Sequence, residues 1–218
     1  MIDTVILDVD GTLVDSNYHH SIAWARAFGR YDLFPPLWRI HRAIGMGGDR
    51  LVAEVAGQVA EDENGDALRD RWTTEFDQLI GEVRPFDGSR HLLETLKQRG
   101  LSVVLASSGQ PQHVEAFLDL FDGKSLADAW TTAEDAEESK PAADLLLAAM
   151  DRVHGSSGVM VGDATWDAQA ARAAGLSSIG LRTGGFGEDE LRGAGASAVF
   201  DGPQDLTDAL TEGLLDRF

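Results

Sequence analysis

Residues 4–16 read TVILDVDGTLVDS. The apolar run Val5-Ile6-Leu7 reads as a buried strand, and it ends in two aspartates, Asp8 and Asp10, with only Val9 between them. An ionised carboxylate buried without a partner is expensive, so two of them at a strand end call for a cation, a proton or water. Residues i and i+2 of an extended segment face the same way, so both carboxylates can address one ligand. Gly11 then lets the chain turn sharply away.

Working outward, the same signature of a short apolar run closed by a polar residue recurs. It is clear in LSVVLASS (101–108) and GVMVGD (158–163), and weaker in SSIGLRT (177–183) and SAVFDG (197–202). Helix-like stretches lie between: SRHLLETLKQRG (89–100), PQHVEAFLDLF (111–121), PAADLLLAAMDRVHG (141–155) and TWDAQAARAAG (165–175). Gly100, Gly155 and Gly175 stand where helix C-terminal glycines belong. Strand alternating with helix predicts a parallel sheet covered on both faces.

Residues 15–83 break this rhythm. SIAWARAFGRY (21–31), DRLVAEVAGQVAED (49–62) and GDALRDRWTTEFDQLIGEV (65–83) carry apolar residues at helical spacing, with Pro35-Pro36 and the glycine-rich IGMGGD (44–49) as interruptions. The expected fold is therefore α/β: an open parallel-sheet, Rossmann-like core from 1–14 and 84–218, with a small all-α unit, 15–83, inserted after the first strand. Sheets of this kind bind ligands beyond the carboxyl ends of their strands. Three strands here bring oxygen-bearing side chains to that edge: Asp8 and Asp10, Ser107 and Ser108, and Asp163 with Asp167 four residues on.

Composition narrows the chemistry. With 218 residues, 43% of them hydrophobic, the chain can bury a full core. It has no cysteine, which removes disulfides, thiolate metal sites and cysteine nucleophiles together. A net charge of -19 disfavours nucleic acid and anionic membranes as partners. Met1 leads straight into the first strand, and no apolar run approaches a membrane span, so a cytoplasmic protein is expected. Converging carboxylates and hydroxyls suit a hard cation that prefers oxygen, and Mg²⁺ fits best. An aspartate left free by the metal can attack phosphorus, while a second acid protonates the leaving oxygen and later deprotonates water. A calcium loop starting at Asp8 would need glycine and glutamate where Leu13 and His19 stand. Taken singly, the serines read as turn formers and Asp163 with Asp167 as a helix cap. Their joint placement at strand ends is what points to a site.

The order DVDGTLVDS, VVLASSG, Lys140-Pro141 and VGDATWDAQAARAAG resembles the haloacid dehalogenase superfamily of hydrolases over essentially the whole chain. The helical insertion resembles that superfamily's small α-helical cap and places the chain near the phosphoglycolate phosphatase and β-phosphoglucomutase branch. The resemblance implies Asp8 as nucleophile and Mg²⁺ ligand, Asp10 as general acid/base with its carbonyl on the metal, and Asp163 as the remaining side-chain ligand. It implies Ser107 and Ser108 on the phosphoryl group, Lys140 offsetting negative charge there, and Asp167 orienting Lys140 or a metal-bound water. The family's usual KPxPD reads KPAAD, with Ala143 for the second proline.

Asp10 argues against the dehalogenases, which lack it. A phosphonate hydrolase needs a cap lysine, and the only lysines are Lys97, Lys124 and Lys140. The expected activity is Mg²⁺-dependent hydrolysis of a small phosphorylated metabolite, phosphoglycolate-like or a sugar phosphate, through an aspartyl-phosphate. Two alternatives stand beside it: a β-phosphoglucomutase-like phosphotransferase, and a silent member that keeps the fold as a binding module. His20 falls where the mutase carries an assisting histidine, but Ile44 and Gly48 stand where it grips a second phosphate. Arg50, nearby, is the one substitute. IGMGGDR, with Gly45, Gly47 and Gly48, resembles a substrate-specificity loop, and as a bland alternative is a turn between two helices. The particular substrate and the oligomeric state stay open.

Overall fold

Every residue of the first strand, β1 (Thr4–Leu7), is buried, and its alternate side chains enter two different cores. A computed structural model describes residues 2–218 apart from the side chain of Arg217; Met1, the first residue of the expected core segment, lies outside them. Five more strands follow: β2 (Ser102–Ala106), β3 (Ala129–Thr131), β4 (Gly158–Gly162), β5 (Ser177–Leu181) and β6 (Ala198–Phe200). They form one parallel sheet in the order β3-β2-β1-β4-β5-β6. This is the doubly wound order, in which the sheet reverses direction beside β1 and leaves a crevice at the carboxyl edge there.

The helices are α1 (Asn17–Gly29), α2 (Leu37–Ala43), α3 (Gly48–Ala56), α4 (Gln58–Phe76), α5 (Ser89–Gln98), α6 (Pro111–Asp119), α7 (Gly123–Leu126), α8 (Asp144–Arg152), α9 (Thr165–Ala173), α10 (Glu188–Ala194) and α11 (Pro203–Thr211). Period-two alternation distributes the strand residues. Val5, Leu7, Val103, Leu105, Val159 and Val161 pack with Leu92, Leu96, Phe117, Leu206 and Leu210. Ile6, Val104 and Met160 turn the other way onto Leu145, Leu146, Ala149, Ala170 and Ala171. Both faces are apolar because both are covered by helices.

Between β1 and α5 the chain is helical, as expected. Helices α1–α4 have an apolar cluster of their own, including Trp24, Phe28, Ile40, Leu51, Val52, Val55 and Leu68, and the half-buried Trp72 packs against both it and the main core. The helix boundaries differ from the periodicity reading. The chain breaks at Gly57, which takes φ 92°, and α4 then runs without interruption through 63–65 to Phe76. Helix α2, begun after Pro36, and strand β3 were not read from the sequence. Strand β3 is three residues at the sheet edge, too short for alternation to show. Among the described residues no helix is long and apolar enough to cross a membrane.

Candidate active site

The register sets the site. Leu7 stands opposite Leu105 of β2 and Val161 of β4, so the residues that follow the three strands leave the sheet together. The Asp8 amide still donates to the Val161 carbonyl at 2.9 Å, which anchors its side chain at the edge. Asp8 is 3% exposed. Lys140, fully buried, lies between two carboxylates: its Nζ is 2.7 Å from Asp8 Oδ1 and 2.8 Å from Asp167 Oδ1. The other Asp167 oxygen accepts from the Ala164 amide at 2.9 Å, so Asp167 is committed to Lys140 and to the start of α9.

Asp10 is held on both oxygens. Oδ1 accepts from Ser16 Oγ at 2.8 Å and lies 2.8 Å from His20 Nε2, and Oδ2 accepts from Ser107 Oγ at 2.9 Å. His20 in turn lies flat on Phe76, with ring centroids 4.0 Å apart. Asp163 Oδ1 accepts from Thr12 Oγ1 at 2.7 Å and Oδ2 from Asn17 Nδ2 at 2.9 Å. A Cβ at Gly184 would stand 1.7 Å from Asp163 Oδ2, so only glycine lets the loop after β5 close over this carboxylate.

Burial pushes the Asp8 carboxyl well above the ordinary range, with Lys140 opposing and Asp167, Asp163 and Asp10 adding to the rise. Burial likewise raises Asp163 to about 7, reinforced by Asp167 and opposed by Thr12 and Asn17. Asp10 behaves differently. Its burial would raise it, but the hydrogen bond and charge of His20, with Ser16 and Ser107, outweigh that and bring it to about 2. Lys140 is held firmly protonated: burial would lower it, and Asp167 and Asp8 more than offset this.

One lysine thus faces several buried carboxylates, and oxygens of Asp8, Asp163 and Asp167 lie within 4.8 Å of one another. The donors are all oxygen and the site is short of positive charge. These residues fit a hard divalent cation, with Asp8 and Asp163 as the carboxylates still able to coordinate.

A cavity of about 350 Å³ opens over this edge. Asp8, Asp10, His20 and Ser108 line its polar end; Trp24, Trp72, Ile44, Met46 and Leu51 form the apolar wall opposite. Gly45, Gly47 and Gly48 line it as well, with Arg69, Gln110, Asp49, Glu137 and Ser139 completing the rim. Ser107 sits behind the cavity, bonded to Asp10 and to the Gly109 amide. Arg50 is the misplaced candidate. It does not line the cavity; its guanidinium turns outward to Glu138, at 2.5 Å, because α3 begins at Gly48 and carries Arg50 round to face the loop before Lys140.

That loop is also where helices and core meet. Ser139 Oγ donates to Asp49 Oδ1 at 2.7 Å and accepts from the Gly47 amide at 3.2 Å. Trp166 Nε1 donates to the Arg42 carbonyl at 3.2 Å, and Arg42 pairs with Glu190. Trp166 is therefore a contact between the two parts.

Sequence reasoning did not single out Thr12, Ser16 and Asn17, although all lie within the opening motif, and three polar residues so close to a buried strand end were the signal. Trp24, Trp72 and Arg69 carried none, because helical periodicity marks them only as buried or exposed.

Comparison with known proteins agrees with this geometry. The family model described as haloacid dehalogenase-like hydrolase matches residues 2–175. A solved hydrolase from Pseudomonas syringae superposes with a TM-score of 0.90 at 32% identity, covering 96% of this chain and 98% of that one. The phosphoglycolate phosphatase of Caulobacter vibrioides is 29% identical over 203 residues, 90% of this chain and 85% of its own. The validoxylamine A 7'-phosphate phosphatase of Streptomyces hygroscopicus subsp. limoneus is 26% identical over 197 residues, 84% of this chain and 87% of its own. With its motifs at the carboxyl edge of a doubly wound sheet and the family model spanning most of its length, this chain belongs to the haloacid dehalogenase-like hydrolases.

Proposed function

We propose that the protein is a Mg²⁺-dependent phosphatase that hydrolyses a small phosphorylated metabolite through an aspartyl-phosphate on Asp8. The observation that carries this reading is the unequal treatment of two neighbouring aspartates. Asp8 is paired on one oxygen with Lys140, while Asp10, which also lines the cavity, is held on both oxygens by Ser16, Ser107 and His20. One is placed to attack and the other to move a proton.

A substrate phosphoryl group enters the polar end of the cavity. The Asp8 carboxylate attacks phosphorus, the bond to the leaving oxygen breaks, and that oxygen takes a proton from Asp10. Asp10 is ionised before substrate arrives; the negative phosphoryl group raises its proton affinity, and a substrate entering as the phosphate monoanion hands Asp10 the proton that Asp10 then gives to the leaving oxygen. A water then gives its proton to Asp10 and attacks the phosphorus, the bond to Asp8 breaks, and inorganic phosphate leaves. Lys140 offsets charge on Asp8, and Asp167 holds Lys140 in place. Asp8, Asp163 and the Asp10 carbonyl would hold Mg²⁺, which supplies the positive charge that several buried carboxylates and a phosphate dianion together require. Ile44 and Gly48 present no charge to the cavity and Arg50 points away, which supports hydrolysis over phosphate transfer between two ends of a sugar.

Chelation with EDTA is expected to abolish turnover of p-nitrophenyl phosphate, and added Mg²⁺ to restore it. Full activity in EDTA overturns the metal assignment. The helices 15–83 act as a cap, closing through Gly47 and Ser139. A Cβ at Gly47 would meet Ser139 Cβ at 2.5 Å. Gly47→Ala is therefore expected to shift relative rates across a panel of phosphate esters by about tenfold at the extremes, with little change in thermal midpoint. An unchanged ranking would make this loop a turn and nothing more.

A further inference from the structure

Arg69 is the only arginine or lysine lining the cavity among the described residues, and its charge is already spent. A guanidinium has five N–H donors. Nη1 donates to the Gly48 carbonyl at 3.0 Å and to Glu61 Oε2 at 3.1 Å; Nη2 donates to Glu61 Oε1 at 2.8 Å and to Asp66 Oδ1 at 2.9 Å. Only Nε–H is left. The fork to Glu61 is bidentate, the strong geometry for this pair, and Glu61 is 18% exposed in its side chain.

The helix is shaped around the pair. Gly65 is buried in the interior of α4, midway between Glu61 and Arg69, where glycine is a poorer helix former than alanine. A Cβ there would stand 2.4 Å from Glu61 Oε1 and 2.8 Å from Arg69 Nη2. The missing side chain is the space through which the ion pair crosses the helix.

The rest of the wall treats anions no better. Trp24 and Trp72 lie stacked along it, ring centroids 5.5 Å apart, and the exposed carboxylates of Asp49 and Glu137 stand at the rim. A carboxylate or second phosphate on the leaving group would lose water against indole and meet like charge, with no free fork to receive it.

We infer that the cavity selects phosphate esters whose leaving group carries no second anionic group, and that the Glu61–Arg69 pair across Gly65 sets this preference. The inference rests on the phosphatase reading above. It makes Arg69 and Glu61 specificity-determining residues: paired, they deny an anion its counter-charge; separated, they would supply one.

Matched substrates test it on the full chain with Mg²⁺: hydroxyethyl phosphate against phosphoglycolate, and a hexose monophosphate against the corresponding bisphosphate. The wild type is expected to favour the member of each pair without a second anionic group by about tenfold or more in kcat/KM. Glu61→Gln removes the counter-charge and one of the two accepting oxygens, and Gly65→Ala displaces Glu61 by contact while raising helix propensity. Each is expected to shrink the preference by about fivefold, through a lower KM for the anionic member, with p-nitrophenyl phosphate turnover unchanged. Preference for the anionic member in the wild type, or a preference unmoved in both variants, overturns the inference and leaves the phosphatase reading intact. Absence of p-nitrophenyl phosphate hydrolysis with Mg²⁺ overturns that reading and the inference with it.

Discussion

Asp8→Asn is expected to stop phosphoryl transfer altogether, by on the order of 10⁴-fold or more even with an activated ester, because an amide in place of the proposed nucleophile cannot take the phosphoryl group. Asp10→Asn is expected to fail later in the cycle. The p-nitrophenolate leaving group barely needs a proton, so attack by Asp8 proceeds, while the water that must cleave the aspartyl-phosphate has lost its base. Mixed rapidly with p-nitrophenyl phosphate, Asp10→Asn should release nitrophenol in a burst approaching one equivalent per site and then turn over slowly. Intact-mass analysis should show added phosphate on Asp10→Asn and none on Asp8→Asn. Asparagine has the same shape: its one oxygen accepts from Ser16 or from Ser107, and its amide donates to the other hydroxyl, which can accept, so the local fold is kept. Wild-type behaviour of Asp10→Asn in both phases would place the acid/base elsewhere.

Lys140→Met is the second large effect, and it acts on stability as well as rate. Lys140 is fully buried between Asp8 and Asp167, and both partners are nearly inaccessible to water. Removing one member of a buried ion pair leaves charge that neither water nor protein compensates, typically about 3–5 kcal/mol. For a chain of this length that lowers the thermal midpoint by roughly 10 °C. Mg²⁺ should recover part of the loss in the variant, because it supplies the missing charge to the same carboxylates. Turnover should fall by about 10³-fold, since charge on Asp8 and the phosphoryl group loses a fixed neutralising partner. A variant as stable as the wild type in the absence of metal would remove Lys140 from the electrostatic balance of the site.

The parts of this molecule legible in its sequence are those where one physical demand dominates. Val5, Ile6 and Leu7, followed at once by Asp8, cannot be read as anything but a buried strand delivering charge to an edge, and the same holds for β2 and β4. Strand β3 escaped because three residues cannot display alternation and its only distinction is neighbours on one side. The helix boundaries at 57 and 63–65 were misread because two glycines do opposite jobs: Gly57 takes a left-handed backbone and ends a helix, while Gly65 stays helical and makes room for an ion pair. The two cap arginines show the same limit for the site. Arg50 stands next to the glycine-rich loop in sequence, yet the phase of α3 turns it to Glu138, whereas Arg69, far along another helix, reaches the cavity wall.

The central place of β1 has a consequence for how the chain becomes active. Thr4 pairs with Ser102 on one side and with Gly158 on the other, and five helices, α1–α5, intervene before the first of these partners is reached. Such pairings close very long loops, whose entropy grows only slowly with length but must be overcome before any contact rewards it, so they form late. Asp8 and Asp10 emerge first in synthesis, and Lys140 and Asp163 follow only after most of the chain. Until β4 docks, Asp163 and Asp167 remain apart from Asp8 and Asp10. Docking of β4 against β1 brings Asp163 and Asp167 to Asp8, with Lys140 seated between Asp8 and Asp167, so catalytic competence is expected only once the central strands are together.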